Sequence, residues 1–200
     1  NAARERTGEQ IRQELAQAIS QRKQKDEQIA DLEKEMNFWK AKKDPEPPRH
    51  SDTELARQAL LAAGVPHVPF YEAVEFRPEV NPELRERVES AISELGLLDA
   101  LIVPDAYLQQ VTGYDKVLLP NPQLFAHTLA SFLQPVPSDT VDATAIDNVL
   151  RSILWAGSSS DDTARALLDS AGRYRMALLR GQAPRTDASR YIGREARRQH

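Results

Sequence analysis

The stretch IRQELAQAISQRKQKDEQIADLEKEMNFWKAKKDPEPP, from Ile11 to Pro48, decides how this chain is built. Apolar residues recur at Ile11, Leu15, Ala18, Ile29, Leu32, Met36 and Trp39. The steps alternate four and three once Arg22 and Lys25 fill the gap between Ala18 and Ile29. That is a heptad seam of period 3.5, flanked by Gln, Glu, Lys and Arg. Seven of the nine seam positions are apolar, which favours a coiled coil over a helix packed on its own domain. At ~1.5 Å per residue the helix extends ~60 Å. It is too polar to fold alone, so the seam calls for a partner strand. The helix ends at Asp44-Pro45-Glu46-Pro47-Pro48, because proline lacks the helical donor and pushes the preceding residue out of the α region.

Beyond this boundary the reading changes. Ser51–Ala63 restarts a helix, with Ser51 as cap, Glu54 completing a capping box and Gly64 at the C-terminal position. Asn81-Pro82 opens the next helix, whose buried face is Leu84, Val88, Ala91, Ile92 and Leu95, and Gly96 ends it. Short strands are expected at Leu98–Val103 and Lys116–Leu119, each stopped by proline. Short helical stretches are expected at Leu124–Leu133 and, more strongly, at Asp142–Trp155. Arg165–Leu168 and Arg173–Arg180 predict a β-hairpin turned by Asp169-Ser170-Ala171-Gly172.

The 200 residues are 40% hydrophobic and 28% charged, which suits a soluble chain with a core. The net charge is -4, so composition alone makes no case for a nucleic-acid binder. No cysteine is present, which excludes disulfides, thiolate metal sites and cysteine nucleophiles. The longest apolar stretch, Leu95–Pro104, is interrupted by Asp99 and falls well short of a membrane span. No membrane partner is expected. The chain opens on Asn1 without a signal-peptide pattern, and we expect a fragment of a longer protein.

Little chemistry is on offer. Neither G-x-x-x-x-G-K-[ST] nor G-x-G-x-x-G occurs, so no nucleotide cofactor is expected. His50, His67, His127 and His200 are scattered, and none has a second ligand one helical turn away, so no metal is expected. Gly157-Ser158-Ser159-Ser160-Asp161 resembles a nucleophile elbow only loosely, since Asp161 stands where the second glycine belongs. No catalytic residue is assigned.

Charge is unevenly spread. From Ala171 to His200, Arg173, Arg175, Arg180, Arg185, Arg190, Arg194, Arg197 and Arg198 face only Asp187 and Glu195. That gives about +6 there and about -10 for the remainder of the net -4. These arginines are candidates for non-specific contact with phosphate backbones. The alternating Tyr174, Met176 and Leu178 of the same stretch are candidates for pairing between copies.

The fold expected is α+β or mixed α/β, a small sheet flanked by helices, with an antiparallel coiled-coil stub. Four parts are expected: an arm helix over 1–44, a proline-rich linker over 45–50, a globular domain over 51–189 and the start of a returning helix over 190–200.

One series of short motifs runs through the globular part. It comprises Phe70-Tyr71-Glu72-Ala73-Val74-Glu75-Phe76-Arg77-Pro78, Leu95-Gly96-Leu97-Leu98-Asp99-Ala100, Val149-Leu150-Arg151-Ser152-Ile153, Gly172-Arg173-Tyr174-Arg175, Leu178-Leu179-Arg180-Gly181 and Tyr191-Ile192-Gly193. In this order, and behind a coiled coil, the series resembles the hinge region of the SMC-like, MukB/MksB-related large subunit of bacterial Wadjet plasmid-defence complexes, over roughly residues 65–198. The resemblance implies a hinge that joins two copies into a homodimer at the ends of coiled-coil arms. It implies DNA as a partner of the full complex, kleisin-like and nuclease subunits contacting other regions, and a cytoplasmic location. ATPase heads would lie outside this stretch, so no ATP chemistry is carried onto it. Two alternatives stand beside this reading. One is a DNA-contacting module acting through the C-terminal arginines. The other is an uncharacterised enzyme or ligand-binding domain fused to a coiled coil, hinted at only by the Gly157–Asp162 loop.

Overall fold

The computed structural model describes residues 2–41, 44–111, 113–156 and 166–199, and in the first helix the side chains of 8–36 only. The Gly157–Asp162 loop, Arg165, His200 and the side chain of Trp39 lie outside the described residues. The chain divides into two compact units, Asn1–Asp44 and Pro45–His200.

The first unit is one helix, α1 (Ala2–Ala41). It contains no proline and mostly strong helix formers, so propensity alone favours it along its whole length. Its apolar residues Ile11, Leu15, Ile29, Leu32 and Met36 are between 49% and 64% exposed. Propensity therefore makes the helix, and its apolar stripe is exposed among the described side chains.

The second unit is mixed α/β, with small sheets and helices. It contains α2 (Ser51–Ala62), β1 (Val68–Pro69), α3 (Phe70–Ala73), β2 (Val74–Phe76), α4 (Pro82–Glu94), β3 (Leu101–Ile102), β4 (Leu133–Pro135), α5 (Ala143–Leu150), β5 (Leu154–Trp155), β6 (Leu167–Leu168), β7 (Arg173–Met176), β8 (Leu179–Gln182) and α6 (Arg194–Gln199). The strands form two antiparallel pairs, β1–β3 and β2–β4, and a four-stranded sheet of order β5-β6-β7-β8. In that sheet β5 and β6 run parallel and the other pairs antiparallel. The core gathers Phe70, Tyr71 and Val74 with Val88 and Ile92 of α4, Ile146 and Leu150 of α5, and Leu129, Leu133 and Leu168. Each such large side chain, fully buried, contributes on the order of 1.5–3 kcal/mol. Leu60, Val65, Leu101 and Val103 form a smaller cluster under α2.

α4 matches its reading closely. Asn81 Oδ1 accepts from the Leu84 amide at 2.8 Å, Pro82 occupies the first turn, and Gly96 leaves the helix at φ +70. Elsewhere the structure corrects the sequence. The cap of α2 is His50, not Ser51, and its Nδ1 accepts from the Asp52 amide at 3.3 Å. With His50 as cap, Glu54 stands four positions on instead of the three a capping box needs, and its carboxylate binds Arg49 at 2.8 Å.

The helix expected over Asp142–Trp155 stops at Leu150. The Ser152 hydroxyl donates to the Asn148 carbonyl at 2.6 Å and closes the last turn. Leu154 then pairs with Leu167 and bridges Thr128. A short apolar run serves either period, and strand pairing decides it. Leu124–Leu133 yields only a 3-10 turn at Leu129–Ser131 before β4. The strand expected at Leu98–Val103 shrinks to Leu101–Ile102, because the carbonyls of Leu98 and Ala100 are taken by the Tyr71 and Phe70 amides. Lys116–Leu119 contributes a single bridge, Val117 with Leu101. The strand expected over Arg173–Arg180 breaks at Ala177, which takes φ 50, and the chain reverses into β8.

Among the described residues, no helix is long and apolar enough to cross a membrane.

Candidate functional site

Both ends of the second unit are tied into its body by charged side chains. At the leading end stands Arg49, in the segment over 45–50. Its Nε and Nη2 donate to the two oxygens of Asp99 at 2.7 and 2.8 Å. Arg57 of α2, 7% exposed, lies behind it and donates to Asp99 Oδ1 at 2.9 Å and to Asp115 at 2.9 and 3.1 Å. Two guanidinium groups thus face two carboxylates in bidentate geometry, the strongest form of such pairs. Burial pushes the Asp99 carboxyl upward, but the bonds from Arg49 and Arg57 outweigh it and hold it below the usual range.

The trailing end, over 183–192, is held by α4. Arg87, 2% exposed, donates to the carbonyls of Ala183 at 3.0 Å and Pro184 at 2.7 Å. Its charge is met by Glu86, at 2.6 and 2.5 Å. The Glu86 carboxylate also accepts from the Thr186 amide at 2.6 Å, the Thr186 hydroxyl at 3.0 Å and the Ser90 hydroxyl at 3.1 Å. The Arg87 bonds lead in holding the Glu86 carboxyl down to about 2, against the opposing effect of burial. One turn on, Glu89 accepts from the consecutive amides of Arg190, Tyr191 and Ile192, at 2.5, 3.2 and 2.8 Å. Burial still raises the Glu89 carboxyl above its ordinary value, because these amides offset it only in part.

Tyr71 of α3 contacts the trailing end and lies within the electrostatic reach of the leading one. Its carbonyl accepts from Arg197 at 3.2 Å, and the Arg197 guanidinium lies 5.7 Å from the centre of its ring. Its ring packs edge-on against Tyr191, with centroids 6.5 Å apart. Its hydroxyl donates to Glu72 at 2.9 Å. Burial first, then the negative charges of Glu72 and Glu46, raise the Tyr71 phenol, and Arg49 pulls the other way. Glu46 and Arg49 belong to the leading segment, and Arg197 and Tyr191 to the trailing one.

The sequence-derived candidates fall in different places. Tyr174 and Met176 are half-buried and pack on the core, while Leu178 is fully exposed at the tip of the β7–β8 hairpin. β7 pairs on both sides, so its backbone cannot pair with another copy. The edge strands are β5, which is bridged by Thr128, and β8, which among the described residues pairs on one side only. Arg173 binds Asp169 Oδ2 at 2.5 Å, Arg175 stands opposite Arg180 across β7 and β8, and Arg185 reaches Glu83 at 3.5 Å. Arg190, Arg194 and Arg198 are exposed. Arg197 is buried and engaged by Tyr71 and Tyr191, which removes it from the side chains able to reach a phosphate.

Sequence reasoning missed Glu86, Arg87 and Glu89, reading only the apolar face of α4. A signal was present: Glu86, Glu89 and Ser90 stand at i, i+3 and i+4, a second stripe on the same helix.

A cleft of about 450 Å³ opens beside α2, lined by Arg49, His50, Thr53, Asp99, Asp115 and Lys116 among others. Its Arg49 and its two aspartates are spent on the Arg49–Asp99 and Arg57–Asp115 bonds. Among the described residues no group of three or more His, Asp or Glu is placed to hold a metal ion.

No family model, curated protein or solved structure matches this chain.

Proposed function

We propose that this chain is the homodimerisation hinge of an SMC-like, DNA-organising ATPase of the Wadjet plasmid-defence type. The second unit joins two copies, and α1 is one strand of a coiled-coil arm. The observation that carries this reading is that charged side chains anchor both the leading segment, through Arg49 and Asp99, and the trailing one, through Arg87, Glu89 and Arg197. A hinge on an antiparallel arm needs the chain to enter and leave at neighbouring points. It also needs both points anchored firmly enough to pass arm movements into the domain. Buried, bidentate arginine–carboxylate pairs give such anchoring, because removing one partner strands the other charge.

The exposed apolar tip Leu178-Leu179 and the open β8 edge are the features best suited to meet a second copy across a two-fold axis. The test is solution mass by light scattering after size exclusion, over a concentration series. A mass near twice 22.4 kDa that persists on dilution is expected. Leu178→Asp is expected to shift it toward the monomer with the secondary structure by circular dichroism kept, since the side chain is fully exposed. A stable wild-type monomer sinks the reading.

A second reading, a DNA-contacting module, is favoured by one observation. Arg180, Arg190, Arg194 and Arg198 are exposed, where a phosphate chain could reach them. Binding to a labelled duplex should then fall steeply with salt. No binding at low salt excludes it.

A further inference from the structure

The seam of α1 carries two cations in its middle. With Leu15, Ile29 and Met36 at the a positions and Ile11, Ala18 and Leu32 at d, Arg22 takes a and Lys25 takes d in consecutive layers. A helix that covers this seam must cover them as well. A charge taken out of water without a counter-charge is strongly unfavourable. Among the described residues, no ion pair engages Arg22 or Lys25, whereas Lys34 pairs with Asp31 at 3.8 Å.

A second copy of α1 cannot supply the counter-charge from its own seam. A parallel pairing sets Arg22 on Arg22 and Lys25 on Lys25. An antiparallel pairing about this layer sets Arg22 on Lys25. Any other register places the cations against apolar side chains, because the seam from Ile11 to Met36 holds no carboxylate. The two cations therefore act against self-pairing, as a charged a or d position does elsewhere in coiled coils.

We infer that the partner of α1 is a different helix, apolar at its own heptad positions and acidic at the layer facing Arg22 and Lys25. This rests on the reading of α1 as an arm strand and adds the chemistry of the strand it pairs with. The occupant is thus defined by charge complementarity: Asp or Glu side chains in two consecutive core layers, between apolar layers on both sides.

The test uses the full chain and two labelled synthetic helices of about 35 residues, or five heptads. The helices are identical except that one carries Glu and the other Lys at the central a and d positions. The Glu probe is expected to bind at least about tenfold more tightly, or ~1.4 kcal/mol. In R22E/K25E the preference should invert, and in R22Q/K25Q it should vanish while the helix content by circular dichroism is kept. Equal binding of the two probes, binding of neither, or a preference that survives the charge reversal overturns the inference. Solution mass in the same samples reports separately on the hinge. A dimer with no probe preference sinks the acidic partner alone, and a monomer that keeps the preference sinks the hinge alone.

Discussion

Arg197 donates to the backbone carbonyl of Tyr71, 126 positions earlier in the chain, at 3.2 Å. The same guanidinium serves the Tyr191 carbonyl at 2.8 Å. One side chain from α6 therefore joins the trailing segment to α3, and α3 feels the charges of the leading segment through Tyr71.

Arg197→Ala leaves two carbonyls without their donor, and a buried unsatisfied group costs about 1–3 kcal/mol. A lower urea midpoint is expected, with faster amide exchange over 190–197. Both bonds come from one Nη1, so the single ammonium of Arg197→Lys, on a differently shaped stem, should recover part of the loss. An unchanged midpoint in the alanine variant would show that the contact adds nothing to stability.

Glu86→Gln removes the counter-charge of Arg87, which is almost wholly buried. Breaking such a pair costs about 3–5 kcal/mol. The effect depends on pH with a defined sign. The Glu86 carboxyl is lowered from its ordinary 4.5 to about 2 in the folded state. Its contribution is thus complete above about 4.5 and is lost as pH falls toward about 2. The stability gap between wild type and Glu86→Gln, followed by denaturant titration, should close over that window. A gap constant down to the acid end contradicts the assignment.

Gly172 turns the β6–β7 hairpin at φ +73, and a Cβ there would stand 2.8 Å from Nη1 of Arg87. Gly172→Ala meets both objections, a left-handed backbone and a displaced buried guanidinium. Destabilisation of about 1–3 kcal/mol is expected, comparable to other strained or overpacked sites. A melting temperature equal to wild type would mean that Arg87 yields without losing its bonds to Ala183 and Pro184.

The sequence by itself determined α1, the boundary at Pro45–Pro48 and α4. Each rests on signals local to a few residues: an unbroken run of helix formers, prolines that cannot donate, an Asn81 cap, and a glycine that adopts positive φ. The mixed character of the second unit was legible in the alternation of short apolar runs with helical stretches. Only the tertiary structure decided where α5 gives way to β5, because Leu154 serves a helix or a strand equally well until Leu167 and Thr128 pair with it. The reversal at Ala177 was equally hidden, since no glycine or asparagine marks it. The charged ties were least visible of all. Glu86, Arg87, Glu89 and Arg197 look like solvated helix residues in sequence, and they are buried because their partners arrive from 84 to 126 positions away.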